Sequence, residues 1–311
     1  MAINRASIAK ELLPGLNAVF GLEYGDVDNE HAPLFDVENS DRAFEEEVLF
    51  TGFGTAPVKN EGAAVQYDDA QESYTARYTH DTISLAFSVT EEAMEDNLYD
   101  TFAKLRARGL ARAMANTKQV KAADVFNNGF SGSYLGGDGQ PLFSDSHPVI
   151  DGGVQDNDLD ATDLSEASLE SALITISKAK DDRGILIGIR AESLHIPPDL
   201  AFTADQILNS ALSTTVTTQG TDGVTNVNDI NAIRNQGLVP GGFFVNHRFT
   251  DTNAWFLKTD APNGTKMFVR APLQTKMEPD FDTGNLRFKA RERYSFGWSD
   301  WRGFYGASGS S

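Results

Sequence analysis

At 311 residues, with 40% hydrophobic residues and 20 Phe, the chain has enough apolar material to bury a substantial core, which excludes an intrinsically disordered protein. It has no Cys, so disulfides and thiolate chemistry are excluded and stability must come from packing and partners. The formal net charge is −19, and residues 1–100 carry 21 acidic against 5 basic side chains, a sign opposite to that of a duplex-binding protein.

The start, Met1-Ala2-Ile3-Asn4-Arg5, lacks an apolar run of signal-peptide length, and no later stretch is apolar enough to span a bilayer. The chain therefore reads as a soluble protein made in a cytoplasm. Residues 5–20 read as a short helix, interrupted or turned at Pro14-Gly15. Residues 21–43 hold Asp26, Asp28, Glu30, Asp36, Glu38 and Asp41 among few apolar residues, which predicts an extended acidic arm with no core of its own. Such an arm either lies along basic surface on other copies of the chain or is a solvated face that aids solubility. Two strand-like stretches follow, Phe44 to Phe53 and Ser73 to Val89, the second with Tyr74, Ala76 and Tyr78 on one face and then Ile83, Leu85, Phe87 and Val89. Between them Gly54 to Gly62 is punctuated by Gly and Pro, so the pair forms a long two-stranded arm with a flexible tip. An isolated ribbon of this kind is marginal in water and needs support from something else.

Residues 90–128 predict one amphipathic helix of 39 residues, spanning about 58 Å at about 1.5 Å per residue. Thr90 is a good N-cap, with Glu91, Glu92, Glu95 and Asp96 in the first turns and Lys104, Arg106, Arg108, Arg112, Lys118 and Lys121 in the far half. Met94, Leu98, Phe102, Leu105, Ala113 and Val120 supply an apolar stripe, and Asn127-Asn128-Gly129 a stop. A long core helix of an α+β domain and a spine that reaches across neighbouring subunits both fit. Residues 129–162 are loop-rich. A second helix opens with a capping box of Asp163 and Glu166, presents Leu169, Leu173, Ile176 and Ala179 inward, and ends near Asp182-Arg183-Gly184. Ile185 to Ile196 reads as a buried strand stopped by Pro197-Pro198, Ala201 to Ser210 as a third helix, and 213–229 as a polar loop. From Phe243 onward the chain is strand-rich, with Trp255-Phe256-Leu257, Met267-Phe268-Val269 and Leu286 to Phe296.

No catalytic constellation stands out. His31, His80, His147, His195 and His247 form no metal-ligand spacing, and His147 and His195 read as hydrogen-bonded structural residues. Asp156, Asp158 and Asp160 imitate the start of a calcium loop, but Ala161 and Ala167 occupy the positions that need Gly and a bidentate Glu. The glycines at 129, 132, 136, 137 and 139 precede no Gly-Lys-Ser/Thr, and no Gly-x-Ser-x-Gly elbow occurs. No cofactor or metal is expected.

The order of these parts resembles the major capsid proteins of tailed bacteriophages, with the Hong Kong 97-type α+β fold. Three segments bring the resemblance toward the Mu-like major head subunit lineage. They are Gly139-Gln140-Pro141-Leu142-Phe143-Ser144-Asp145-Ser146-His147-Pro148, then Leu194 to Leu200 with Ala204-Asp205-Gln206-Ile207-Leu208, and the closing Trp301-Arg302-Gly303-Phe304-Tyr305-Gly306. The resemblance implies an N-terminal arm over 1–43 and an E-loop hairpin over 44–89. It implies a peripheral domain over 90–184, a mainly axial domain over 185–265, and a return to the peripheral sheet over 266–311. The 213–229 loop would face the axis. It further implies self-assembly through hexamers and pentamers into an icosahedral head in the virion, around double-stranded DNA bound without sequence preference. Assembly would take place in the bacterial host cytoplasm with a scaffolding protein, a portal and a decoration protein as partners, and without a membrane. The chain opens at Met1, so no cleaved N-terminal segment is expected, and Lys59 and Asn60 at the hairpin tip lack a matching motif for a covalent Lys–Asn link. An α+β enzyme and a phage tail protein are the alternatives.

Electrostatics nominates the contacts. Arg287, Lys289, Arg291 and Arg293 alternate along one strand and so share a face. In an assembly that face meets a neighbour's acidic arm or the Glu45-Glu46-Glu47 base of its hairpin; on a lone subunit it is a solvated sheet face. Phe44, Leu49, Phe50 and Phe53 add apolar surface to bury, and Lys59 and Asn60 complete the contact set.

Overall fold

A computed structural model describes residues 5–62, 64–90, 92, 99–150, 152–218, 224–280 and 282–310. The strand alternation predicted near the C-terminus organises the first half of the molecule. Strand β13 (Leu286–Trp298) turns Leu286, Phe288, Ala290, Glu292 and Tyr294 inward and Arg287, Lys289 and Arg291 outward. It pairs antiparallel with β12 (Thr265–Pro279) on one side and with β4 (Asp81–Val89) on the other. The short β1 (Asp36–Asn39) adds parallel to β12, giving a four-stranded sheet in the order β1-β12-β13-β4.

Two helices cover the inner face of that sheet. Helix α1 (Arg5–Gly25) buries Leu16 and Phe20, and α2 (Tyr99–Asn127) buries Ala103, Ala107, Leu110, Ala111 and Met114, against Leu286, Phe288 and Ala290. The expected stripe on the long helix is corrected here. Leu105 is 63% exposed and Val120 faces solvent, while the buried stripe is made largely of alanine. Small side chains let α1 and β13 approach the helix axis closely, so an apolar-size pattern misplaced the face. Residues 91 and 93–98, which carry most of the predicted first turns, lie outside the described residues.

The last turn of α2 delivers Phe126 into an aromatic cluster. Its ring centroid lies 4.8 Å from Phe304, 5.3 Å from Phe256, 5.8 Å from Phe35 and 5.9 Å from Phe249. Phe256 and Phe304 belong to a second four-stranded sheet, β10-β7-β11-β14, made by β7 (Ala191–Ile196), β10 (Phe243–Val245), β11 (Trp255–Thr259) and β14 (Phe304–Ala307). Helices α3 (Glu166–Ser177), α4 (Ala201–Asn209) and α5 (Ala232–Gln236) close over this sheet with Leu169, Ile176, Leu208, Ile233, Trp255 and Tyr305 in one cluster.

The loop-rich region 129–162 is tied down by buried polar groups. His147 stacks on Trp301 at 4.4 Å, with Nδ1 2.6 Å from Asp138 and Nε2 3.0 Å from Asn157. Asn157 in turn donates to the carbonyls of Leu142 and Phe304. Arg302 is almost fully buried, reaching Asp182 at 2.5 Å, Asp300 at 3.4 Å and the Lys180 carbonyl at 3.1 Å. Each of these buried side chains has a polar partner, so the loops are held in place without regular structure. Within them, β5 (His147–Pro148) and β6 (Val154–Gln155) form a minimal ribbon.

Several elements differ from the sequence expectations. Helix α1 runs through Pro14 without a break, because burial of Leu16 and Phe20 beyond the proline offsets the lost hydrogen bond. The arm 21–43 does own part of the core, since Leu34 and Phe35 are buried beside Phe126 and β1 joins the sheet. Capping of α3 is by Ser165 and Ser168, not Asp163 and Glu166; Asp163 instead accepts from Ser310. That helix ends at Ser177, and Leu186 and Ile187 are exposed ahead of the true strand at Ala191. The polar stretch 213–229 is a hairpin of β8 (Leu212–Thr218) and β9 (Val224–Ile230), in which Thr and Val supply β propensity; residues 219–223 lie outside the described set.

Two measurements test this architecture. Phe126→Ala removes the ring at the centre of the cluster between the sheets and is expected to cost about 3–5 kcal/mol, read as a lower denaturant midpoint. His195 is fully buried in β7, and burial, reinforced by the Lys258 charge, lowers its pKa to about 3. The unfolded chain protonates near the ordinary value while the folded chain resists, so this contribution is intact above about pH 6.5 and declines as pH falls toward 3. In unfolding titrations at pH 7 and pH 5, His195→Gln is expected to lose less stability on acidification than the native chain does.

Candidate assembly surfaces

Strand β2 (Phe44–Phe50) pairs with β3 (Glu72–Thr79) as a separate two-stranded ribbon. The long second stretch of the sequence divides at His80: its first half belongs to this ribbon and its second half, β4, to the main sheet. His80 is buried at the joint, with Nε2 2.9 Å from Ser40 Oγ and Nδ1 3.0 Å from Ser295 Oγ. These contacts fix the angle at which the ribbon leaves the body.

The alternation of β2 divides the three consecutive glutamates between two faces. Glu47 points inward, 2.6 Å from the Lys266 ammonium, and also accepts from Ser299. Lys266 is shared with Glu38 at 2.9 Å. Burial alone pushes the Lys266 pKa down, but the hydrogen bonds and charges of Glu47 and Glu38 reverse that and leave it raised. Glu45 accepts from Ser40 at 2.7 Å, and only Glu46 stays on the outer face, 3.8 Å from Arg77. Glu45 and Glu47 are therefore engaged within their own subunit, which leaves Glu46 as the outward carboxylate of the three. The cause is strand period: a carboxylate at every residue cannot face one way.

The outer ribbon face is apolar. Phe44, Val48 and Phe50 are exposed there, with Arg77 stacked 4.0 Å over the Phe44 ring, while Leu49 is half-buried. Phe50 is 62% and Phe53 66% exposed, and Lys59 and Asn60 sit exposed in the irregular tip.

The cation row also lies where alternation predicts. Arg287, Lys289 and Arg291 are exposed and Arg293 is half-buried. Opposite them on β12 stand Glu278, Lys276, Gln274 and Ala271. Arg287 is held by Asp280 at 2.6 Å, and Lys276 pairs with Glu278. Among the described residues Lys289 and Arg291 pair with no carboxylate, and they border a shallow cleft of about 400 Å³ with Gln274, Thr275 and Lys276. Beside them the Nε–H groups of Arg270 and Arg293 have no hydrogen-bond acceptor. Strand alternation does not point to Arg270, which lies at a register shift of β12 between Val269 and Ala271.

Several carboxylates of the acidic arm are engaged within their own subunit. Glu23 pairs with Arg112, Glu30 with Arg248 at 2.5 Å and His247 at 2.8 Å, and Asp36 with Lys258 at 3.6 Å. The basic partners are far along the chain, so charge counts by segment could not reveal these pairings.

A cleft of about 610 Å³ lies between the ribbon, α2 and the 134–137 loop. An Asp81–Lys121 ion pair at 2.6 Å crosses it, and Tyr134 and Leu135 stand exposed on its rim. Among the described residues no helix is long and apolar enough to cross a membrane.

Comparison with known proteins gives a family and a fold. The family described as phage capsid protein matches residues 73–307. No curated protein matches the chain. The virus-like particle from Pyrococcus furiosus is 10% identical with a TM-score of 0.54, covering 94% of this chain and 98% of that one. The capsid of an empty GTA particle is 13% identical with a TM-score of 0.55, covering 92% and 91%. The procapsid of bacteriophage JBD30 is 14% identical with a TM-score of 0.52, covering 99% and 77%. At such identities the likeness speaks for fold alone.

Lys266→Met leaves Glu47 and Glu38 without their shared cation at the root of the ribbon. Because both carboxylates retain some solvent, the expected loss is about 1–3 kcal/mol, with faster hydrogen exchange in β2 and β3 than in β13.

Proposed function

The chain belongs to the phage capsid protein family, with a Hong Kong 97-like fold, and we propose that it is the major subunit of the head. It is a structural protein, not an enzyme. Copies assemble as hexamers and pentamers and close into an icosahedral shell around double-stranded DNA, held without sequence-specific contacts. The observation that carries this reading is two surfaces left open on one subunit among the described residues: an apolar outer ribbon face and loop with Phe50 and Phe53, and a cation row with Lys289 and Arg291.

In this reading 1–43 is the N-terminal arm, and the ribbon and its loop are the E-loop that reaches a neighbour. The first sheet with α1 and α2 forms the peripheral region, completed by residues 266–311. The second sheet, joined by β14 from the C-terminal segment, forms the axial region over roughly 185–265, and the β8–β9 hairpin turns toward the symmetry axis. Glu46 and the loop carboxylates, with Phe50 and Phe53, face the Arg287, Lys289, Arg291 and Arg293 row of an adjoining copy, and Lys59 and Asn60 lie in the same contact. Scaffolding protein, portal and decoration protein are its partners, assembly takes place in the host cytoplasm, and the segments at 139–148, 194–208 and 301–306 support a kinship with the Mu-like head lineage.

Each exposed ion pair contributes about 0–1 kcal/mol. Many weak contacts repeated around a shell suffice for closure and still allow a misplaced subunit to leave. The strongly negative chain also suits a container whose wall must not grip DNA during filling.

The double variant Arg291→Glu with Arg293→Glu is expected to fold, by circular dichroism, and to remain as free subunits or small oligomers in sedimentation and negative-stain electron microscopy. The native chain is expected to give capsomers and shells under the same conditions. Normal shells from the variant would rule out the cation row as an assembly contact.

A further inference from the structure

Between the strands of the ribbon, residues 51–71 form a long irregular loop. Its base is closed by Thr51 and Gln71, with the Gln71 carbonyl accepting from Thr51 N at 2.9 Å and from Thr51 Oγ1 at 3.1 Å. Beyond that base, the loop's hydrogen bonds to the rest of the chain, among the described residues, all run to one side chain. Arg183 Nη1 donates to Asp68 Oδ2 at 2.7 Å, and Nη2 donates to the Asp69 carbonyl at 2.5 Å. Asp68 Oδ2 also accepts from Gly54 N at 2.6 Å, joining the two limbs of the loop at the same point.

The two sides of this contact are built differently. The Arg183 side is rigid: the Asp181 carboxylate accepts from the backbone of Arg183 and Ile185, Gly184 takes a positive φ of 76°, and adjacent Asp182 is anchored by buried Arg302. The loop side is loose. Phe53 is 66% exposed, Val65 64%, and Val58 and Tyr67 each 93%, so no large apolar side chain named here seats the loop on the body. A carbon at Gly54 would lie 3.2 Å from Asp68 Oδ2 and 3.3 Å from Arg183 Nη1, so the absence of a side chain there lets the contact close. A preformed socket thus holds an apolar loop by one charged, solvent-accessible bond, which is strong enough to place the loop and weak enough to release it.

We propose that Arg183 is an intramolecular latch that restrains assembly: it keeps the 51–71 loop on its own subunit until contact with a second copy buries the loop's apolar residues and releases Asp68. The proposal rests on the capsid reading for its consequence, but the latch itself is a property of the free subunit and is measurable there.

In the unassembled subunit, hydrogen exchange at 52–70 is expected to quicken in Arg183→Gln and in Asp68→Asn, and to return in the charge-swapped pair Asp68→Arg with Arg183→Asp. Both single variants are expected to form shells at a protein concentration roughly two- to fivefold below that of the native chain. Because the chain has no Cys, Asp68→Cys with Arg183→Cys can be bridged selectively by a short bis-maleimide. The bridged subunit is expected to stay unassembled and the unbridged one to assemble readily. Unchanged exchange in both single variants overturns the latch, as does slower assembly of either variant or normal shells from the bridged subunit. If the native chain forms no shells under any condition, the capsid reading fails, and the exchange measurement alone still decides whether the latch exists.

Discussion

The fold depends on one side chain at the end of its longest described helix. Phe126 is completely buried; its ring meets Phe256 and Phe304 of the second sheet and Phe35 of the segment after α1, in one cluster with Met267 and Tyr294 of the first sheet. Aromatic rings combine large buried area with favourable tilted contacts, so a single residue can lock several elements at once. The cluster around it is where the apolar sides of the two sheets meet. The stripe of alanines upstream allows α2 to lie close enough to the first sheet to deliver that ring.

Buried charge extends the same constraint outward. Arg302 joins Asp182, Asp300 and the Lys180 carbonyl, while stacking of His147 on Trp301 seats the 136–157 loops. These are costly groups to bury, and their value is positional: a guanidinium with a directed set of acceptors tolerates few alternative arrangements. One consequence is the rigidity of the 181–185 turn, on which the ribbon's loop rests. Core packing and surface behaviour are therefore linked through a chain of directed polar contacts, from Phe304 beside Phe126 to Arg302 and on to Arg183.

Segregation of surface character follows from strand period. Alternation sends the apolar half of β13 to the helices and its cations outward, and it sends Glu45 and Glu47 inward while Phe44, Val48 and Phe50 face solvent. The result is a subunit that pairs several of its carboxylates internally and leaves apolar and cationic surface for contact. Such a distribution favours many reversible contacts over a few strong ones, as a closed shell of identical subunits requires.

The order of elements, the long helix, the outward cation row and the likeness to phage capsid proteins were legible in the sequence, because each rests on local periodicity or on the succession of parts. The candidate residues Arg287, Lys289 and Arg291 were found by alternation alone. Other features were not legible. The buried alanine stripe was missed because size-based periodicity favours Leu and Val, and the β8–β9 hairpin because Thr and Asn resemble loop composition. Tertiary structure alone decided which charges are already spent: Glu47 meets Lys266, Glu30 meets Arg248 and Asp68 meets Arg183. Those partners stand more than a hundred residues apart in the chain, and an ion pair is set by distance in space, about which sequence spacing carries no information.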